Sequence, residues 1–179
     1  DVKLNVNYAM VITTNSGLWR YKIGDTVKFT CLNPYRIKIT GRTKHFINVF
    51  GEELVIENAE KALSLTSELT KSSISDYTVG PVFMGSKTKG SHEWLIEFDK
   101  HPDDLNKFME ILDLNLQSLN SDYEAKRYKS STLELPKLVV ARKNLFYDWL
   151  SSKNKLGGQN KIPRLSNSRE FIEELISMN

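Results

Sequence analysis

Residues 41–63, GRTKHFINVFGEELVIENAEKAL, contain the point at which the chain changes its periodicity. Before Gly51 the apolar residues run in short, strand-like pieces. After it Val55, Ala59, Ala62 and Thr66, with Leu63 and Leu69 beside them, recur at the spacing of one helix face, while Glu57, Glu60, Lys61 and Glu68 fall mainly on the other. The spacing predicts an amphipathic helix over 52–69, entered through a tight turn that Gly51 permits.

Toward the amino end, Tyr35, Ile37 and Ile39 alternate with Arg36, Lys38 and Thr40, and Val27, Phe29 and Cys31 alternate with Lys28 and Thr30. That is the period of a sheet with one apolar and one basic face. Strand-like runs at 8–14 and 18–23, joined by Asn15-Ser16-Gly17, complete a set of short hairpin strands. Toward the carboxy end, strands are expected at 76–84 and 92–98 around the exposed loop GSKTKGS. Pro102 is placed to open a helix, Asp103 and Asp104 suit its positive end, and Leu105, Phe108, Met109, Leu112, Leu116 and Leu119 form its apolar stripe. A strand at 138–141, a short helix at 145–150 with Phe146 and Trp149 inward, and a closing helix at 169–178 follow; Asn167 and Glu170 have capping-box spacing. The expected class is α+β: short antiparallel strands, then a small α/β domain with helices packed on a small mixed sheet, the boundary lying near Arg42 to Lys44.

A chain of 179 residues with 40% hydrophobic and 26% charged residues has the composition of an ordinary globular protein. No apolar run reaches the roughly 18 to 20 residues of a bilayer span, and DVKLNVNYAM lacks the pattern of a signal peptide. A soluble, cytoplasmic protein is expected. Cys31 is the single cysteine, which excludes an intrachain disulfide; its place in an alternating run points to a buried thiol rather than a nucleophile. His45, His92 and His101 show no metal-binding spacing, so no metal site is expected. The net charge of +3 hides an asymmetry: nine acids face two bases over 91–124, and ten bases face three acids over 123–165. The basic stretch 126–164, with Tyr128, Tyr147 and Trp149 as stacking platforms, supplies an alternative reading as a nucleic-acid-binding module. No RNP-like or G-x-x-G motif accompanies it, and a solvated face balanced by its acidic neighbour is the plainer explanation. A stand-alone protein-interaction domain is a third possibility.

Three ordered motifs carry a resemblance: GLWRYKIGDTVKF at 17–29, GRTKHFINVFGEELVIENAEKAL at 41–63 and GGQNKIPRLSN at 157–167. Together they resemble the carboxy-terminal region of the auxin-responsive acyl-acid amido synthetase family, particularly its bacterial members, within the adenylate-forming superfamily that includes acyl-CoA synthetases and firefly luciferase. The resemblance implies that residues 1–43 are strands from the end of a large amino-terminal adenylation domain, a remnant of its β-barrel, and that 44–179 form a mobile lid. It implies a ligase using ATP and Mg2+, with the magnesium held mainly by the large domain, acting on a carboxylic acid and an amino acid.

Residue by residue, Asp25 matches the carboxylate that binds both ribose hydroxyls of ATP, a task for a group that accepts two hydrogen bonds at once. Without the resemblance, Gly24-Asp25 reads as a plain turn. Arg42 matches an arginine that grips the nucleotide, and Lys44 the hinge between large and small domains. Lys161 matches the lysine brought into the site for adenylation, although its loop lacks the S-G-K form of the acyl-CoA synthetases. Arg164 is assigned an assisting role at the phosphates. Asn48 stands where many superfamily members carry lysine and receives no charge-based role. The phosphate-binding loop and acyl pocket are expected on the large domain, so the chain alone is expected to show no turnover.

Overall fold

The computed structural model describes residues 2–42, 46–86, 88–157 and 161–179. The chain divides into two units, Asp1–Phe46 and Ile47–Asn179.

The first unit is an antiparallel sheet of β1 (Asn7–Ile12), β2 (Tyr21–Leu32) and β3 (Tyr35–Arg42), in that order. The strand expected at 18–23 and the one carrying the alternation of Val27, Phe29 and Cys31 are one strand, β2, of 12 residues. Gly24, at φ 88°, supports a bulge within the strand instead of a turn between strands. Across it the β1 pairing steps from Ala9↔Thr26 to Val11↔Lys22. The expected apolar face is present, since Val27 faces Ile39 and Phe29 faces Ile37. Only Val27 is buried, however; Ile37 and Ile39 stay 50% and 64% exposed. Cys31, expected to be buried, is half-buried, with Sγ 3.4 Å from the Asn33 carbonyl oxygen.

The second unit has three layers. Its mixed sheet pairs β6 (Ser73–Val82) antiparallel to β7 (Ser91–Lys100), and β7 parallel to β8 (Lys137–Ala141). Because β7 is central, its two side-chain rows enter different cores. Trp94, Ile96 and Phe98 pack with Ala59, Ala62 and Leu63 of α1 (Ile56–Thr70) and Phe108, Leu112 and Leu116 of α2 (Leu105–Leu119). Leu95 packs on the other face with Phe146 and Trp149 of α4 (Leu145–Ser152) and Ile172 and Leu175 of α5 (Glu170–Met178). Helix α5 lies so close to β6 that a Cβ at Gly80 would stand 2.9 Å from Ile172 Cγ2. No described helix is long and apolar enough to cross a membrane.

Three local expectations need correction, and one further helix is present. Helix α1 begins four residues late, because Gly51 and Glu53 hold positive φ (82° and 40°) and Leu54–Val55 forms strand β5, paired with β4 (Phe46–Ile47). Pro102 lies outside α2; Asp104 is its cap, its Oδ1 accepting the Asn106 and Lys107 amides at 2.8 and 3.1 Å. Asn167 does not cap α5, whose first turn has no side-chain cap; its Oδ1 accepts the Asn48 amide at 2.8 Å instead. Helix α3 (Ser121–Arg127) was not anticipated, although Asn120 caps it by accepting the Tyr123 amide, and acids open and bases close it.

Candidate functional site

Within the first unit Asp25 and Arg42 are register partners across β2 and β3. Asp25 is half-buried and sits between two irregularities, the β1–β2 bulge and a β2–β3 shift at Thr26/Val27. Bulges bend a strand and re-aim its side chains, so this carboxylate leaves the regular alternation of the sheet. The backbone of Arg42 ends β3, while its side chain lies outside the described part of the molecule. Lys44 lies outside the described residues altogether, as do Gln159 and Asn160.

Lys161 and Arg164 belong to the second unit. Lys161 is exposed; one residue later Ile162 is buried in the core beneath α4 and α5. From there the chain runs beside β6 as an extra edge segment. Thr78 Oγ1 donates to the Pro163 carbonyl at 2.6 Å, the Val79 amide donates to the Arg164 carbonyl at 2.9 Å, and the Ser166 amide donates to the Val79 carbonyl at 3.1 Å. Leu165 forms a parallel bridge with Val79 and is fully buried. β6 is the sheet edge, and its outward backbone groups at Val79 are satisfied by this segment.

The Arg164 guanidinium points back onto the same strand. It pairs with Asp76, donates to the Tyr77 carbonyl at 3.1 Å and lies 4.6 Å above the Tyr77 ring. It borders a groove of about 380 Å³ shared with Glu60, Ser64, Ser67 and Tyr77. Burial pushes the Tyr77 phenol well up, with Glu60 adding to the effect, and its buried Oη has no hydrogen-bond partner.

Two buried polar groupings escaped the sequence reading. His92 Nε2 lies 2.8 Å from Glu52 Oε1, both side chains fully buried, and Glu52 Oε2 accepts the Phe50 amide at 2.7 Å. Burial alone raises the Glu52 carboxyl, but the bond and charge of His92, with backbone donors, more than offset it and hold the group below its ordinary range. Asp113 accepts from Tyr123 Oη at 2.7 Å and from Arg127 Nε and Nη2 at 2.7 and 2.8 Å. Hydrogen bonds to Asp113 hold the Arg127 guanidinium more firmly protonated against the cost of burial. From sequence Glu52 reads as an acid at a helix start and Asp113 lies within an apolar helix stripe, so only long-range contact distinguishes them.

Among the described residues no group of three or more His, Cys, Asp or Glu is placed to hold a metal ion. Several bases of the basic stretch already have carboxylate partners: Arg127 with Asp113, Arg142 with Asp148, Lys153 with Glu174 and Arg164 with Asp76. Trp149 is buried, with Nε1 donating to Glu174, and offers no stacking face.

Residues 57–170 match the model of the GH3 family C-terminal domain and residues 1–42 that of the GH3 family central domain. The chain is 27% identical to the TelA-like protein SSP1345 of Staphylococcus saprophyticus over 95% of its own length and 44% of that protein's. It is 25% identical to the 4-substituted benzoates-glutamate ligase GH3.12 of Arabidopsis thaliana over 98% of its length and 33% of the ligase. It therefore spans less than half of either relative. Among solved structures, the GH3.15 acyl acid amido synthetase superposes with a TM-score of 0.77 at 23% identity, over 99% of this chain and 34% of that one. The same enzyme in complex with 2,4-DB gives 0.74 at 22% identity, over 98% and 33%. At such identities the structural likeness speaks for the fold.

Proposed function

Because the chain belongs to the GH3 family, we propose that it is the carboxy-terminal part of an ATP-dependent acyl-acid amido synthetase. In this reading residues 1–43 close the large adenylation domain and residues 44–179 form its mobile lid. The reaction has two halves. A carboxylate attacks the α-phosphorus of ATP, pyrophosphate leaves, and an acyl-adenylate forms. The amine of an amino acid then attacks the acyl carbon, AMP leaves, and the amine's proton passes to solvent or base as the amide forms.

The observation that carries this reading is the setting of Lys161, an exposed ammonium group immediately before a segment fixed to a sheet edge. The first half-reaction brings one anion against another. A cation held between the two oxygens stabilises the charge that develops there, provided its backbone is already in place. Asp25 accepts the two ribose hydroxyls, and Arg42 supplies a planar donor fork to the nucleotide. Rotation about Lys44 withdraws Lys161 between the halves and admits the amine. Magnesium is held mainly by the large amino-terminal domain in this reading. The chain by itself binds nucleotide weakly and does not turn over.

In a polypeptide of full family length carrying this chain at its carboxy end, Lys161→Ala is expected to lower acid-dependent ATP–pyrophosphate exchange by about 10²–10³-fold, the scale of losing one transition-state electrostatic contact, with the circular dichroism spectrum unchanged. An exchange rate equal to wild type would remove Lys161 from its role. Likewise, pyrophosphate exchange by the 179-residue chain alone would show that the active site does not need an upstream domain.

A further inference from the structure

We propose that the Asp76–Arg164 ion pair, with Thr78, is a clamp that positions Lys161, and that Arg164 acts through this clamp and not at the phosphates. The proposal rests on the adenylation role given to Lys161. A lysine has a flexible stem, so its ammonium group is delivered accurately only if the backbone beneath it is fixed. Downstream of Lys161 that fixation is continuous. Ile162 and Leu165 are buried in the two different cores of the second unit, and the carbonyls between them are held by Thr78 Oγ1 and the Val79 amide.

Arg164 completes the attachment from the side-chain direction. Its guanidinium is engaged by the Asp76 carboxylate, the Tyr77 carbonyl and the Tyr77 ring. Three consecutive β6 residues, Asp76, Tyr77 and Thr78, thereby grip the two residues following Ile162, Pro163 and Arg164, through side chains or carbonyls. A guanidinium reaching for a phosphate would have to leave all these partners at once. Losing a charged hydrogen bond is worth about tenfold or more in an equilibrium, so the pairing opposes that departure.

The test has two independent arms. In the 179-residue chain, Asp76→Asn is expected to speed hydrogen exchange at the Val79 and Ser166 amides about tenfold while amides inside α1 and α2 keep their rates. In the polypeptide of full family length, the same substitution is expected to lower kcat for pyrophosphate exchange about tenfold with the KM for ATP unchanged. Asp76→Glu should restore most of that loss, and in a Lys161→Ala background Asp76→Asn should change nothing further.

Unchanged amide rates in Asp76→Asn would overturn the clamp. A loss of kcat that persists undiminished in the Lys161→Ala background would show that Asp76 acts elsewhere. A raised KM for ATP in Arg164→Gln, with Asp76→Asn silent, would return Arg164 to the nucleotide. If Lys161→Ala leaves exchange at the wild-type rate, the adenylation reading fails and takes the positioning role with it; faster Val79 and Ser166 exchange would still identify the clamp as a structural attachment.

Discussion

The two units treat the apolar residues of their strands in opposite ways. In the second, β7 lies between two helical layers, and Trp94, Leu95 and Ile96 have no exposure at all. In the first, β3 carries its apolar residues at every second position, Tyr35, Ile37 and Ile39, yet these side chains are 70%, 50% and 64% exposed. Alternation therefore defines which residues share a face, whereas burial depends on whether a second layer covers it. A three-stranded sheet with one buried valine has little apolar burial to offset its chain entropy; the second unit has a core on each side of its sheet.

The contrast is most exposed to refutation at Trp94. Trp94→Ala is expected to cost about 3–5 kcal/mol in urea unfolding monitored by circular dichroism, the usual range for emptying a large aromatic site in a closed core. A cost below about 1 kcal/mol would mean that the sheet is not sandwiched as described.

An intermediate effect, dependent on pH, is expected from Glu52. Its carboxyl is held below the ordinary range in the folded chain, so the folded state favours the charged form. The stabilisation is complete above the unfolded value of about 4.5 and is lost as pH falls through the lower folded value. Glu52→Gln should thus be less stable than the wild type near pH 7 by about 1.5–3 kcal/mol, the scale of a hydrogen bond to a charged group, and the difference should narrow progressively below pH of about 4.5. A difference that widened with acidification would mean that the carboxyl is held protonated.

The smallest effect is expected at Ile39. Ile39→Ser should change the unfolding free energy of the 179-residue chain by no more than about 0.5 kcal/mol, as for other exposed positions. A penalty of core size would show that the exposed face of β3 is covered in solution.

The elements with strong period and length were legible in the sequence: the stripe of α2 and the alternation of β3 depend only on neighbouring residues. Boundaries were less so. The start of α1 depends on Leu54 and Val55 pairing with Phe46 and Ile47, and β2 runs through Gly24 because a bulge can absorb a glycine that otherwise reads as a turn. At the candidate site, Lys161 and Asp25 were named through motif resemblance, and their surroundings were not. Asp76 and Thr78 look like ordinary strand residues until the fold brings the segment after Ile162 alongside them. The Glu52–His92 pair joins positions 40 residues apart, beyond the reach of any local pattern.

The stretch lying along β6 has a further effect, which concerns the company the molecule keeps. A sheet of three strands has two open rims, each able to recruit a foreign strand. On one rim the Val79 backbone is already engaged by Arg164 and Ser166; on the other, Asn179 Nδ2 donates to the Val140 carbonyl. Both rims are thus partly sealed by the chain itself. Peeling the segment after Lys161 from its strand would uncover an adhesive border and favour stacking of one copy on the next, so firm anchorage there also protects against aggregation.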